Sequence, residues 1–251
     1  MNLGNVFQDA VDAALAVLYP TACRVCGAMI ESWRDGVACA KCWDEIRVIG
    51  PQCAKCGLLL RRLPPHLEID ERECGLCEKF AFHYARACGP YEGPLRESVL
   101  WLKANPHVAP RLRESLLKAF ETLNELEPVE SLIPVPLHPT RQRERTFNQA
   151  EIIARALAAR TGLRVDLASL VRVIRTEMHR AGMGTIDRAR SLEKAFRVRA
   201  PRLVQNRAVM VVDDVMTTAS TAHEVARTLL EAGAKSVSIL TLARATNEFT
   251  Q

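Results

Sequence analysis

The stretch Val209-Met210-Val211-Val212-Asp213-Asp214-Val215-Met216-Thr217-Thr218-Ala219-Ser220-Thr221 decides how the chain folds. Val209 to Val212 is a continuous apolar run, mostly β-branched, the pattern of a strand covered on both faces. Thr221 to Ala232 carries helical spacing that Gly233 closes at a C′ position. A strand that enters a helix through a short loop is one unit of a parallel α/β sheet, and such sheets bind their ligands at the carboxyl edge where that loop lies. The first N–H groups of the helix lack internal partners and the macrodipole favours negative charge there, so Thr217, Thr218, Ala219, Ser220 and Thr221 offer a seat for a phosphate. Asp213 and Asp214, leading through Val215 and Met216 into the loop, supply acceptors for the paired hydroxyls of a ribose. The plainer use of the same residues is local, with one Asp as a helix cap, the other solvated, and the threonines filling a turn.

The alternation of strands and helices extends upstream to about residue 83. Leu95 to Lys103 and Leu112 to Leu126 predict helices, Leu132 to Pro136 a strand, and Phe147 to Ala159 a helix closed near Gly162. Leu170 to Ile174, Ala208 to Asp213 and Val237 to Leu242 predict further strands, so the expected class is α/β, a parallel sheet flanked by helices. Between Ile133 and Phe147, Arg141, Arg143 and Arg145 crowd a predicted loop, and Asn148 stands at the start of the next helix. Guanidinium forks match the oxygens of a pyrophosphate, and Asn148 can order the turn; a solvated basic loop is the plainer use.

The chain has 251 residues, 48% of them apolar, enough for one large core and a small accessory unit. A net charge of +5 fits phosphate ligands or nucleic acid and selects neither, while an aromatic content of 5% argues against a broad base-stacking surface. No apolar stretch reaches the roughly 18 to 20 residues that span a bilayer, and no signal-like segment opens the chain, so a cytoplasmic location is expected. Phe7, Val11, Ala14, Leu15 and Leu18 recur at helical spacing and predict an amphipathic helix over residues 5–18, with Asp9 and Asp12 on its polar face.

Eight of the nine cysteines form four Cys-x-x-Cys pairs: Cys23/Cys26, Cys39/Cys42, Cys53/Cys56 and Cys74/Cys77. Each pair can present two thiolates from one tight turn, and Gly27, Gly57 and Gly75 follow or separate ligands as such turns require. Twelve residues separate the first two pairs and seventeen the last two, spacings of zinc ribbons, so four pairs make two sites of four thiolates each. Sequential pairing is the expectation, with a crossed arrangement also open. Four pairs fit neither disulfides in a reducing compartment nor a single redox motif. Cys88 is left as a packed, inert thiol.

In order along the chain stand the cysteine pairs, Tyr91-x-Gly93-x-Leu95-Arg96, Lys103, Pro134-Val135-Pro136-Leu137, Arg141-x-Arg143-x-Arg145-x-Phe147-Asn148-Gln149 and the Asp-Asp-Thr-Thr loop. The loop resembles the phosphoribosyl-pyrophosphate (PRPP) signature of type I phosphoribosyltransferases, and the whole series resembles the ComF family of competence-associated phosphoribosyltransferase-like proteins. The chain departs from that pattern at Ala219 and Thr146, where the family usually has Gly. Thr176 to Phe196 matches the family's mobile catalytic loop loosely, with Arg180 and Ser191 near positions where amides are usual.

The resemblance implies an N-terminal helix over 1–18, a double zinc ribbon over 19–82 and a type I phosphoribosyltransferase-like domain over 83–251. It implies one or two structural zinc sites and binding of PRPP, or a related ribose phosphate, with magnesium. Asp213 to Thr221 would hold the ribose 5-phosphate, and Lys103, Arg141, Arg143, Arg145 and Asn148 the pyrophosphate. Asp213, Asp214, Arg188 and Arg190 would act in transfer to a nitrogen acceptor, with His138 and His179 available for proton transfer. The family link is to DNA uptake in natural transformation. Two other readings stay open. One is a non-catalytic factor handling single-stranded DNA through Arg141, Arg143, Arg145 and the Arg61/Arg62 pair, or binding a DNA-uptake protein. The other is a PRPP-sensing regulator.

Overall fold

A computed structural model describes residues 12, 16, 18–46, 52–59, 74, 77–174 and 194–245. Strands β1 (Tyr84–Ala87), β2 (Ser131–Pro134), β3 (Arg164–Val165), β6 (Ala208–Met216) and β7 (Ser236–Arg244) form one parallel sheet in the order β1-β7-β6-β2-β3. Strands β4 (Leu170–Arg172) and β5 (Phe196–Val198) form a separate antiparallel pair. The helices whose bounds fall within the described residues are α1 (Ala40–Asp44), α2 (Gly93–Trp101), α3 (Pro110–Leu126), α4 (Pro139–Glu144), α5 (Gln149–Thr161) and α6 (Ser220–Glu231).

The apolar run of β6 is buried on both faces because its alternating side chains enter two cores. Met210 and Val212 join Leu95, Leu112, Leu116, Leu123, Ile153 and Leu157 from α2, α3 and α5. Val209 and Val211 join Val225 and Leu229 of α6 with Leu170 and Phe196 of the β4–β5 pair. Each such side chain contributes about 1.5–3 kcal/mol of burial, which is why helices cover both faces of the sheet. The cores also reach into the cysteine-rich segment. Ile30, Val37, Ala38 and Trp43 belong to the first, and Cys53, Cys56, Cys77 and Phe82 to the second.

Strand order sets where a ligand can bind. From β2 the chain moves outward to β3, and from β6 it moves to β7 on the other side, so the order reverses between the carboxyl ends of β2 and β6. Helices then leave on opposite faces and a crevice opens between them. Pro134 is the last β2 residue paired, opposite Val212, whereas β6 and β7 continue together to Met216 and Arg244. Everything from Asp213 onward therefore lacks a strand neighbour on the β2 side.

Several elements differ from the sequence expectation. Strands β6 and β7 are longer than predicted, since Asp213 to Met216 stay paired to β7. The strand over Leu170 to Ile174 is not part of the parallel sheet; it shortens to β4 and pairs with β5. The predicted arginine loop contains α4, begun by Pro139 at its first turn and by His138 as its cap. The edge strands β1 and β3 are too short to carry a periodic signal.

Of the predicted helix over 5–18, the described residues Asp12, Ala16 and Leu18 are helical and the rest lie outside the described residues. Asp12 is not on a solvated face: it is buried and accepts from Ser32 Oγ at 2.6 Å and from the Trp33 N–H at 2.8 Å. No described helix is long and apolar enough to cross a membrane.

Candidate functional site

The crevice is lined by Val135 from the end of β2, by Asp213 and Val215 of β6, and by Thr217, Ser220 and Thr221 of the loop into α6. The α6 N-cap is Ala219, whose side chain cannot accept a hydrogen bond, so the helix leaves its first-turn N–H groups without a side-chain cap. Ala219 has φ +61°, the left-handed conformation that favours Gly, at a cost of roughly 1–2 kcal/mol. Alanine therefore keeps the backbone course that a glycine would take here. Thr218 Oγ1 and Ser220 Oγ lie 2.9 Å apart across the loop mouth, while the Met216 and Ala219 side chains are buried and present only backbone.

Asp213 accepts from the N–H of Asp214 at 2.9 Å, and Asp214 accepts from the N–H of Val215 at 2.8 Å. Burial, reinforced by the Asp214 charge, pushes the Asp213 carboxyl well above the usual range; Arg172 acts in the opposite direction. Burial also raises Asp214, against the backbone bond from Val215 and the charges of Lys103 and Arg145. The folded chain thus brings Lys103, just past α2, and Arg145, at the end of α4, within electrostatic reach of Asp214. Arg141 is within electrostatic reach of Arg172, whose own pKa falls through burial and that repulsion. Arg143 is exposed on α4.

Asn148 caps α5 with its Oδ1, which accepts from the Ala150 N–H at 3.1 Å, and its Nδ2 donates to Val135 O at 2.9 Å. Its amide thereby ties the α5 start to the end of β2, and it holds the crevice wall in place. Arg145 Nη1 donates to Gln149 Oε1 at 2.9 Å. His138 caps α4 through Nδ1, 2.7 Å from Thr140 Oγ1. Arg188, Arg190, Arg180, Ser191, His179, Arg61 and Arg62 lie outside the described residues.

Arg172 was not anticipated from sequence. Its guanidinium sits 5.3 Å over the Phe196 ring, beside the crevice. The only signal was an arginine in the apolar run Leu170-Val171-Arg172-Val173-Ile174.

The cysteines group sequentially, as Cys23/Cys26/Cys39/Cys42 and Cys53/Cys56/Cys74/Cys77, with all sulfurs of a group within 4.8 Å of one another. Tetrahedral thiolates at the usual Zn–S distance stand about 3.8 Å apart. The first group has Cys23–Cys42 at 3.8 Å and Cys26–Cys39 at 3.7 Å; the second is tighter, from 3.1 to 3.5 Å. All are free thiols. Both knuckles share one construction. The N–H of the first cysteine donates to the carbonyl five residues on, Ala28 at 2.7 Å or Leu58 at 2.8 Å, and Gly27 (φ +78°) or Gly57 (φ +65°) donates back to Cys23 or Cys53.

At Cys23, burial is outweighed by backbone N–H donors that pull its pKa down to about 6, while burial and the neighbouring thiols push Cys42 up. The ligand set and the first group's spacing fit zinc. Cys88 stands apart, pushed up to about 12 by burial, with its Sγ 3.8 Å from Thr241 O.

Comparison with known proteins agrees with this geometry. Residues 14–89 match the double zinc ribbon domain family, and residues 147–248 match the phosphoribosyl transferase domain family. The chain is 30% identical to the DNA utilization protein YhgH of Salmonella typhimurium, over 90% of this chain and 97% of that protein. It is 26% identical to Competence protein F of Haemophilus influenzae, over 89% of this chain and 96% of that protein. The solved structure of the allosteric regulatory enzyme of purine biosynthesis aligns at TM-score 0.33 and 18% identity, over 55% of this chain and 28% of that one.

Proposed function

The chain belongs to the ComF family, and on that premise we propose that it binds PRPP with magnesium and transfers the phosphoribosyl group to a nitrogen acceptor. The observation that carries the reading is an uncapped helix start opening onto a carboxylate pair, with Lys103, Arg145 and Arg172 within electrostatic reach of those carboxylates. Residues 217–221 would seat the 5-phosphate on the α6 N–H groups, and Asp213 and Asp214 would accept from the ribose hydroxyls. Lys103, Arg141 and Arg145 would hold the pyrophosphate and stabilise the charge it gains as it departs. Magnesium, when bound with PRPP, would neutralise pyrophosphate oxygens. An ionised Asp213 would favour positive charge building on the ribose ring, and no protein nucleophile is needed. In this organisation residues 19–82 form the ribbon unit and 83–251 the transferase unit. The activity would serve the use of DNA, which the name of the Salmonella typhimurium relative states of that protein.

Calorimetric titration of PRPP and magnesium into the wild-type protein and into Asp213→Asn/Asp214→Asn tests the reading. Binding that the double variant loses, followed by acceptor-dependent release of pyrophosphate, supports transfer. A wild-type protein that does not bind PRPP overturns it.

A further inference from the structure

Arg244, the last residue of β7, is 8% exposed, and none of the described ion pairs joins it to a carboxylate. Its guanidinium turns to the second cysteine group instead. Nη1 donates to Cys56 O at 2.6 Å and Nη2 lies 3.6 Å from Cys56 Sγ, while Nε is buried with no hydrogen-bond partner among the described residues. Arg86 of β1 brings a second guanidinium to the same knuckle, donating to Ala54 O at 2.8 Å and Lys55 O at 3.4 Å. The described hydrogen bonds bring no guanidinium to the ligands of the first group, where the N–H of Val25 donates to Cys23 Sγ at 3.4 Å. An unbalanced buried cation is costly, and four thiolates around one dication leave two negative charges in excess. A zinc-loaded second cluster would therefore supply the counter-charge for the buried Arg244.

The same guanidinium reaches the candidate phosphate loop. Nη1 lies 3.5 Å from Met216 Sδ, Met216 is the register partner of Arg244, and the Ala245 N–H donates to Met216 O at 2.9 Å. Met216 immediately precedes Thr217. We propose that Arg244 is a positioning residue that couples the second zinc cluster to this loop: the cluster's charge holds the guanidinium, and the guanidinium holds Met216. Loss of the metal from the second cluster then frees Arg244 and loosens residues 217–221, whereas loss from the first cluster does not.

The test uses the full-length, zinc-loaded chain with Arg244→Met, which removes the charge, and Arg244→Lys, which keeps the charge without the fork. Zinc transfer to a chromogenic chelator is followed with cysteine alkylation mapped by peptide mass spectrometry, so that each metal is assigned to its cluster. Arg244→Met is expected to weaken second-cluster affinity about 10- to 100-fold and leave the first unchanged, with Arg244→Lys between. In cobalt-substituted protein, losing the guanidinium is expected to shift the thiolate charge-transfer band to longer wavelength. Amide exchange over 217–221 in the wild type should rise when the second cluster is emptied, and in Arg244→Met it should already be raised with metal bound. Equal metal affinities in wild type and Arg244→Met, or a loop whose exchange ignores second-cluster zinc, overturn the proposal. Should Arg244→Met fail to fold, the wild-type exchange measurement and Arg244→Lys decide. None of these readouts uses PRPP, so the result is separate from the test of the transferase reading.

Discussion

The carboxyl groups of Asp213 and Asp214 at the mouth of the crevice each accept the next residue's N–H, at 2.9 and 2.8 Å. Burial and the charge of Asp214 hold Asp213 well above its ordinary value. Between that ordinary value, about 3.9, and the raised one, the native state binds more protons than the unfolded chain, so stability falls as pH climbs through the interval. Asp213→Asn is therefore expected to raise the melting temperature at pH 7, with the gain vanishing by about pH 4. Thermal denaturation of both proteins across that range checks it, and an unchanged or lower value at pH 7 contradicts it.

The same shift predicts proton release on ligand binding. A magnesium-bound ribose ligand favours the ionised pair, so PRPP affinity should rise with pH as Asp213 gives up its proton. Calorimetry in two buffers of different ionisation enthalpy reads this directly; identical apparent enthalpies would mean that no proton leaves.

The three arginines of the α4 region are not equivalent. Arg145 acts on the charge of Asp214 and Arg141 is within electrostatic reach of Arg172, whereas Arg143 faces solvent. Arg141→Ala and Arg145→Ala are expected to weaken PRPP binding about 10- to 100-fold, the range of a lost charged hydrogen bond, and Arg143→Ala less than about threefold. An equal loss at all three positions would point to diffuse attraction instead.

Ala219→Gly tests how much the departure from glycine matters. Relief of the left-handed alanine, roughly 1–2 kcal/mol, is offset by the entropy of glycine, about 0.5–1, and by a lost buried methyl, about 0.8. Stability should change by less than about 1 kcal/mol in denaturant unfolding. PRPP affinity should stay within about threefold, because the backbone already follows the glycine course.

Asn148→Ala removes a helix cap and the bond to Val135 O together. The expected cost is about 1–3 kcal/mol in urea unfolding. Asn148→Asp keeps the cap acceptor and loses the donor to Val135, so it should fall between the two.

How much was legible in sequence follows the range of the interactions. The Asp213–Thr221 segment was readable because apolar run, carboxylates, loop and helix follow one another without a gap. The four Cys-x-x-Cys pairs were readable because each turn is local, whereas spacing left open which pairs share a site, and the fold groups them sequentially. Arg172, Arg86 and Arg244 were passed over because a lone arginine in an apolar strand has no local pattern, and its partners are brought by other strands. Asp12 was assigned to a polar helix face because periodicity records only that a residue is polar. Its partner, Ser32, lies twenty residues on.

By itself the sequence determined the strand–loop–helix unit around Asp213 and Asp214, the four Cys-x-x-Cys pairs, and the α/β class, all products of short-range spacing and periodicity. Only the tertiary structure decided that the strand order reverses between β2 and β6, which cysteine pairs share a site, that Lys103 and Arg145 come within electrostatic reach of Asp214, and that Arg244 joins Cys56 to Met216. Strand neighbours are chosen by burial of both sheet faces at once, through contacts between segments up to 188 residues apart, and no local pattern encodes that choice.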